Sequence, residues 1–330
     1  MKIIETGSTD PRYNLAFEEY LFENLESHDD DLFLLWQNEP TIVVGRFQNT
    51  LEEVDAAYVK DHHIHVVRRI SGGGAVYHDL GNLNYTFIVR TGRDHDFDFG
   101  RYTAPIIDIL RNLGVNAAFT SRNDLTIEGK KFSGNAQYMR KGKLLHHGTL
   151  LFDSDLSVLA KTLRTSSDKF VSKGIKSIRS RVTNIRPYLS REMDIQDFKK
   201  AITGHFPSTG VSLEKKDPEK EELEAISRLA REKYHSWEWN YGKSPDFTEK
   251  KSRRFDFGKI EVLLNVSEGN ILNCKFYGDF FGNGNLGDIE SRIAGTRYER
   301  AELAKTLEHV HLGHYFKGIP KEEFLDLLAP

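Results

Sequence analysis

The sequence predicts a mixed α/β fold in two parts, a large domain built on a mixed sheet and a small α+β domain after it. Three observations carry this. The chain has 330 residues, which favours two unequal hydrophobic cores over one. Short strand-type apolar runs are interspersed with segments of helical periodicity along most of its length. A hydrophilic stretch, Gly242 to Arg254, then separates a last pair of strands and some terminal helices from the rest. The expected boundaries are 1–244 for the large domain, 245–254 for a linker and 255–330 for the small one.

Taken in order, Asp10-Pro11 reads as an N-cap followed by proline at the first helical position, and Phe17, Leu21 and Leu25 supply the apolar stripe. Leu32–Trp36 and Thr41–Val44 are strand-type runs joined by Gln37-Asn38-Glu39-Pro40, which predicts a hairpin turn. Ile64–Val67 and Tyr85–Val89 are strands on either side of a glycine loop. Tyr102, Ile106, Ile109, Leu110 and Leu113 mark a helix stopped by Gly114, a favoured residue just past a helix end. Asp124–Glu128, Phe132–Met139 and Leu144–Phe152 predict an antiparallel meander turning at Gly129 and Lys141-Gly142. Helices are expected around Leu156–Leu163, Ile195–Ile202 and Leu223–Ala230. Strands Phe255–Val266 and Ile271–Tyr277 should turn at Glu268-Gly269-Asn270 before the C-terminal helices.

Composition removes several function classes. A net charge of -3 is not that of a dedicated nucleic-acid binder. The opening MKIIETGSTDPR has no apolar signal-peptide core, and runs such as Ile42–Val44 are too short to cross a bilayer. The single cysteine, Cys274, allows neither an internal disulfide nor a cysteine metal cluster. A soluble, cytoplasmic protein without nucleic-acid or membrane partners is expected.

The chemistry-bearing stretch is RRISGGGAVYHDLGNLNY, Arg68 to Tyr85. Consecutive glycines let a ligand approach bare backbone, and adjacent N–H groups can converge on an anion. Arg69 just upstream offers a forked charge suited to phosphate or carboxylate. A solvated glycine-rich turn is the alternative for the glycines alone. GxxxxGK[ST] is absent. Gly282-Asn283-Gly284-Asn285-Leu286-Gly287 fits GxGxxG, but only 43 residues follow and they read as helices, so a helix entry is favoured over a dinucleotide site. In GKKFSGNAQ, strand alternation should put Lys131, Ser133 and Asn135 on one side. His146 and His147 must face opposite sides, and His62, His63 and His65 read as a solvated helix end. KGIKSIRSRVTNIR, Lys173 to Arg186, is basic with interleaved Ile and Val, either a solvated face or a loop that orders on a ligand.

Taken together, LFLLWQNEPTIVVGRFQN, RRISGGGAVYHDLGN, SRNDLTIEGKKFSGNAQ, HHGTLLFDSDLSVLA and SKGIKSIRSRVTNI, with Trp237-Glu238-Trp239-Asn240-Tyr241-Gly242, resemble the lipoate–protein ligases over essentially the whole chain. The resemblance implies a large biotin/lipoate ligase-like catalytic domain and a small accessory domain. It implies that lipoate and ATP, with Mg²⁺, give lipoyl-AMP, and that the lipoyl group then passes to a lysine of an acceptor domain. The implied acceptors are E2 subunits of 2-oxoacid dehydrogenases and the glycine cleavage H protein. Lys131 becomes the central catalytic residue, touching both lipoate and ATP. Arg69 and the Gly74-Ala75-Val76-Tyr77 backbone would bind ATP, with Gly72 and Gly73 in the phosphate loop. Trp36, His78 and His147 would line the lipoate pocket. Asn82, Asn123 and Asp124 would contact the adenylate, with Asp124 also a metal ligand. Lys173, Ser177, Arg179 and Val182 would belong to a loop that closes over the adenylate.

The same resemblance sets the rivals. Octanoyl or lipoyl transferases of this fold use a cysteine nucleophile, whereas Cys274 lies far along the chain from the pocket motifs. A biotin ligase would need a GRGR-type signature, which is missing. A non-catalytic lipoate or nucleotide binder would not need Arg69, the glycines and Lys131 together. An RNA-binding role for the basic run lacks stacking aromatics beside it.

Overall fold

The computed structural model describes residues 1–26, 30–91, 97–120, 123–162, 181–206, 210–242 and 247–329. They form two compact units, Met1–Val44 with Thr50–Arg69 and Val76–Asn240, and Gly45–Asn49 with Ile70–Ala75 and Tyr241–Pro330.

The first unit is organised by an eight-stranded sheet. Its strands are β1 (Lys2–Glu5), β2 (Leu32–Trp36), β6 (Asn82–Arg90), β7 (Ala117–Phe119), β8 (Asp124–Ile127), β9 (Lys130–Arg140), β10 (Lys143–Leu151) and β11 (Glu214–Lys215). The order is β11-β1-β2-β6-β10-β9-β8-β7. β1 runs parallel to β2 and β11, and the other neighbours are antiparallel. A smaller sheet holds β3 (Thr41–Val44) between β4 (His65–Arg68) and β5 (Val76–His78). The predicted meander is β8-β9-β10. Its second turn works because Lys141 and Gly142 both take positive φ, 51° and 70°, the conformation a two-residue hairpin of matching twist requires.

The expected Gln37–Pro40 hairpin is corrected: β2 pairs with β1 and β6, while β3 lies in the other sheet with β4 and β5. The link crosses between sheets because its polar residues are used internally. Asn38 is fully buried and hydrogen-bonds the Asn14 and His78 side chains, and Glu39 N–H donates to Thr9 O.

Strand alternation divides the large sheet chemically. On β6, Leu83, Tyr85, Phe87 and Val89 join Phe33 and Leu35 in a core covered by helix Phe99–Asn112, through Ile106, Ile109 and Leu110, and by helix Ile195–His205, through Phe198 and Ile202. Each such fully buried side chain contributes about 1.5–3 kcal/mol. The alternating residues Asn82, Asn84 and Thr86 are also buried, as a polar row. Toward this row helix α1 (Pro11–Asn24) presents Glu18, its N-terminus capped by the Asp10 side chain as predicted.

The second unit contains β12 (Glu249–Phe255), β13 (Gly258–Ser267) and β14 (Asn270–Gly278) in one antiparallel sheet, with helices Leu286–Ile293, Arg300–Thr306 and Lys321–Leu328. Val262, Leu264, Phe276, Phe280, Ile289, Phe316 and Phe324 form its core. Two expectations change here. The segment 245–254 is not all linker, because β12 begins at Glu249, and Phe255–Val266 is not one strand, because β12 ends at Phe255 and β13 starts at Gly258. Lys250 and Arg253 on β12 meet Glu261 and Glu323, so a hydrophilic segment is accommodated at a sheet edge by ion pairs.

The glycine stretch Ile70–Ala75, expected in the large domain, belongs to this second unit. A side chain at Gly72 would stand 2.3 Å from the Phe280 carbonyl oxygen, and Gly73, at φ 92°, donates its N–H to that oxygen at 3.2 Å. Gly282 and Gly284 likewise make room for Tyr315, and Asn285 caps helix Leu286–Ile293. The GxGxxG match is therefore a helix entry. Among the described residues no helix is long and apolar enough to cross a membrane.

Candidate active site

The buried polar row and α1 enclose a connected cluster. Trp36 Nε1 donates to Thr86 Oγ1 at 3.0 Å, and Thr86 Oγ1 donates to Glu18 Oε1 at 2.6 Å. His147 Nδ1 lies 2.9 and 3.0 Å from the two Glu18 oxygens, one strand over on β10 where His147 faces Thr86 in register. His78 closes the group: its Nδ1 is 3.1 Å from Asn38 Nδ2, and its ring stands edge-on to Trp36 at 6.0 Å. Glu18 is 1% exposed, Trp36 4%, His78 3% and His147 8%. The three predicted pocket residues Trp36, His78 and His147 are thus brought together.

Arg69 belongs to the same electrostatic neighbourhood. Its Nη1 donates to Val43 O at 3.1 Å, and burial lowers the guanidinium pKa to about 10, opposed by the Glu18 carboxylate. It remains a cation at neutral pH. His78 is held down to about 3, by burial first and then by Arg69 and His147, so its ring is neutral. His146 faces the other side, among Tyr85, Tyr102 and Gln137, with its pKa well below the ordinary value because it is buried. Three buried atoms in or beside the cluster have no hydrogen-bond partner among the described residues: His78 Nε2, Asn82 Oδ1 and Asn14 Oδ1. Buried polar atoms are seldom left so.

Lys131 occupies the start of β9. Its ammonium pairs with Asp124 Oδ1 at 2.7 Å, both side chains about one-third exposed (37% and 35%), and lies against the bare α-carbon of Gly134. A bulge between Lys131 and Ser133 interrupts the strict alternation expected there: Lys131 faces Thr126 and Ser133 faces Leu125. Lys130 is exposed. Asn123 Nδ2 donates to Asn135 O at 2.6 Å, which fixes the strand entry beside Asp124. Val182 pairs with Lys131, and Thr183 N–H donates to Lys131 O at 2.9 Å, so the distal end of the predicted basic loop lies beside the lysine. Lys173, Ser177 and Arg179 lie outside the described residues.

Gly74 is exposed, Ala75 and Val76 are half-buried, and Tyr77 is buried, its phenol pKa raised chiefly by burial. Asn82 is fully buried and donates to Asn84. Glu18 was not expected. One of three glutamates in an amphipathic helix reads as solvated, and the only sequence sign is its spacing of one residue from Phe17 and three from Leu21, inside the apolar stripe. Among the described residues no group of three His, Cys, Asp or Glu side chains could hold a metal. Asp124 alone fits the mode in which Mg²⁺ takes one carboxylate and completes its shell with phosphate and water. Cys274 is buried in the second unit on β14, its thiol pKa raised by burial, and has no part in this cluster.

The cluster draws Trp36, Thr86 and His147 from the eight-stranded sheet, His78 from the smaller one with Arg69 just past its β4, and Glu18 from α1, and the partly exposed Lys131 stands on β9, an arrangement of buried charge and polar groups of the kind enzymes carry. Residues 10–207 match the lipoyl protein ligase A/B catalytic domain, and residues 244–328 match the bacterial lipoate protein ligase C-terminus. The chain belongs to the lipoate–protein ligase family and is an enzyme of the ligase class. It is 46% identical over 322 residues to lipoate-protein ligase LplJ of Bacillus subtilis (strain 168), covering 97% of each chain. The structure of a bi-partite lipoate protein ligase and its E2 lipoyl domain from Thermoplasma acidophilum matches with TM-score 0.67 and 31% identity, over 74% of this chain and 97% of that one. That of a lipoate-protein ligase A bound with ATP matches with TM-score 0.62 and 28% identity, over 73% and 97%.

Proposed function

We propose that this enzyme activates lipoate with ATP to lipoyl-AMP and transfers the lipoyl group to a lysine of an acceptor domain. The observation that carries the proposal is the Lys131–Asp124 pair: a partly exposed ammonium kept in place by a carboxylate 2.7 Å away, which an anionic substrate could replace. In the first step a lipoate carboxylate oxygen forms a bond to the α-phosphorus of ATP, the bond from that phosphorus to the bridging oxygen breaks, and pyrophosphate leaves. Two anions must meet, so fixed positive charge supplies most of the rate. Lys131 stands beside both reacting groups and stabilises the charge that builds between them. In the second step a neutral lysine amine adds to the acyl carbon, AMP leaves and a proton is released.

In this reading Arg69 and the backbone of Gly72, Gly73, Gly74, Ala75, Val76 and Tyr77 bind the phosphates, and Trp36, His78 and His147 line the lipoate pocket. Asn82, Asn123 and Asp124 contact the adenylate, and Lys173, Ser177, Arg179 and Val182 form a loop over it. Asp124 would hold Mg²⁺, which would neutralise phosphate charge. The neutral state of His78 suits an apolar acyl chain. Residues 1–244, the loop Ile70–Ala75 among them, would carry the chemistry and 255–330 would be accessory, with the boundary strand β12 on the accessory side. The acceptors would be E2 subunits of 2-oxoacid dehydrogenases and the glycine cleavage H protein, supported by the E2 lipoyl domain paired with the T. acidophilum ligase. A cytoplasmic setting, where ATP is supplied, completes the proposal.

The test is lipoate-dependent pyrophosphate release from ATP. The wild type should release it, and Lys131→Ala should lose about a hundredfold or more in rate. A Lys131→Ala variant with full activity would remove the lysine from the mechanism.

A further inference from the structure

The motif Trp237-Glu238-Trp239-Asn240-Tyr241-Gly242 plays no part in the chemistry above, yet two of its residues grip the segment that carries Arg69. Trp239 Nε1 donates to Arg68 O at 2.8 Å, and the Arg68 N–H donates to Asn240 Oδ1 at 2.9 Å. The Arg68 guanidinium donates through Nε to Trp239 O at 2.8 Å and through Nη2 to Asn240 O at 3.1 Å. Nη2 also donates to Thr50 Oγ1 at 2.6 Å, and that hydroxyl donates to Asn240 O at 2.6 Å. One arginine is therefore held by both its peptide groups and its side chain.

The grip is itself rigid. Asn240 is 4% exposed and donates to the Tyr234 and Ser236 carbonyls at 2.7 and 2.9 Å. The Trp239 ring lies 3.9 Å from the Lys233 ammonium, which is fixed by Glu19 of α1 at 2.7 and 2.8 Å. Arg68 ends β4, and Arg69 follows with its N–H on Val44 O at 3.0 Å. Successive side chains of an extended chain point opposite ways, so fixing Arg68 on one side sets Arg69 on the other.

We propose that Trp239 and Asn240 are positioning residues for Arg69, holding its guanidinium in the orientation that receives a nucleotide phosphate. The proposal rests on the phosphate-binding reading of Arg69. A guanidinium recognises phosphate through a planar fork, and a displacement well under an ångström spoils it, so a clamp on the preceding peptide tunes ATP binding without touching ATP.

Trp239→Phe keeps an aromatic ring, though a smaller one, and deletes the donor to Arg68 O. In lipoate-dependent pyrophosphate release it should raise KM for ATP about fivefold, the effect of one lost hydrogen bond, and leave KM for lipoate unchanged. The melting temperature should fall by no more than about 3 °C. In an Arg69→Ala background, where KM for ATP is already raised, Trp239→Phe should add nothing. Thr50→Val, which removes the hydroxyl between the Arg68 guanidinium and Asn240 O, should show the same pattern and serves if Trp239→Phe does not fold. Equal rises in both KM values, a lowered melting temperature with KM for ATP unchanged, or full additivity with Arg69→Ala would each overturn the proposal. An Arg69→Ala enzyme with unchanged KM for ATP would instead sink the reading of Arg69, and the clamp with it.

Discussion

Glu18→Gln tests the buried cluster at its centre. The carboxylate is 1% exposed, accepts from Thr86 Oγ1 at 2.6 Å and meets His147 Nδ1 at 2.9 Å. It is also the nearby charge that opposes the desolvation of Arg69. A glutamine of the same shape can still accept from Thr86, and its amide can donate to His147 if the ring takes the other tautomer. What the substitution removes is the negative charge facing a buried guanidinium. A hydrogen bond to a charged group contributes about 1.5–3 kcal/mol, and the neutral bonds that re-form keep part of it, so the substitution should cost about 2 kcal/mol. At ~2–4 °C per kcal/mol, the melting temperature should fall by about 4–8 °C. Differential scanning calorimetry at neutral pH would measure it. A fall of less than about 2 °C would refute the reasoning, because it would mean that the buried Glu18 carboxylate is not what holds the cluster together.

Two further outcomes are expected. His78 has its pKa depressed to about 3 in the fold against an ordinary 6.5, so it gains a proton on unfolding. Its contribution to stability is complete above about pH 6.5 and is lost as pH falls toward about 3, at about 1.4 kcal/mol per pH unit. Denaturant midpoints at pH 7.5 and 5 should therefore converge in His78→Gln, part of the remaining slope coming from His146, and an unchanged slope would show that His78 is not buried neutral. Cys274→Ser should leave acyl transfer within about twofold of wild type, because the thiol is buried in the second unit with its pKa raised. Loss of transfer in that variant, measured by acceptor mass, would restore a thioester route.

Local signals in the sequence were legible where one residue type answers one local need. Asp10-Pro11 caps α1, Gly114 follows the helix it ends at φ 85°, and Gly142 turns β9 into β10. That Trp36, His78 and His147 meet in one cluster was reachable through the family resemblance. What was hidden depends on tertiary partners. Gln37–Pro40 has the residues of a turn, and nothing local says that Asn38 is buried against Asn14 and His78 while the two strands part. The charges on β12 look like linker charges because their partners Glu261, Glu323 and Asp326 are distant in sequence. Glu18 was missed for the same reason: its bonds to Thr86 and His147 span 68 and 129 residues. The glycines of the loop were read for a ligand, and in the structure Gly72 and Gly73 also serve packing on Phe280.

The central claim is ATP-dependent lipoylation of a protein. Its most direct test is the intact mass of a purified lipoyl-acceptor domain after incubation with this enzyme, lipoate, Mg²⁺ and ATP, beside a reaction without ATP. The account predicts the mass of one lipoyl amide in the complete reaction and none without ATP. No gain in the complete reaction, on acceptors from both the dehydrogenase and the glycine cleavage systems, or an equal gain in both reactions, would contradict it.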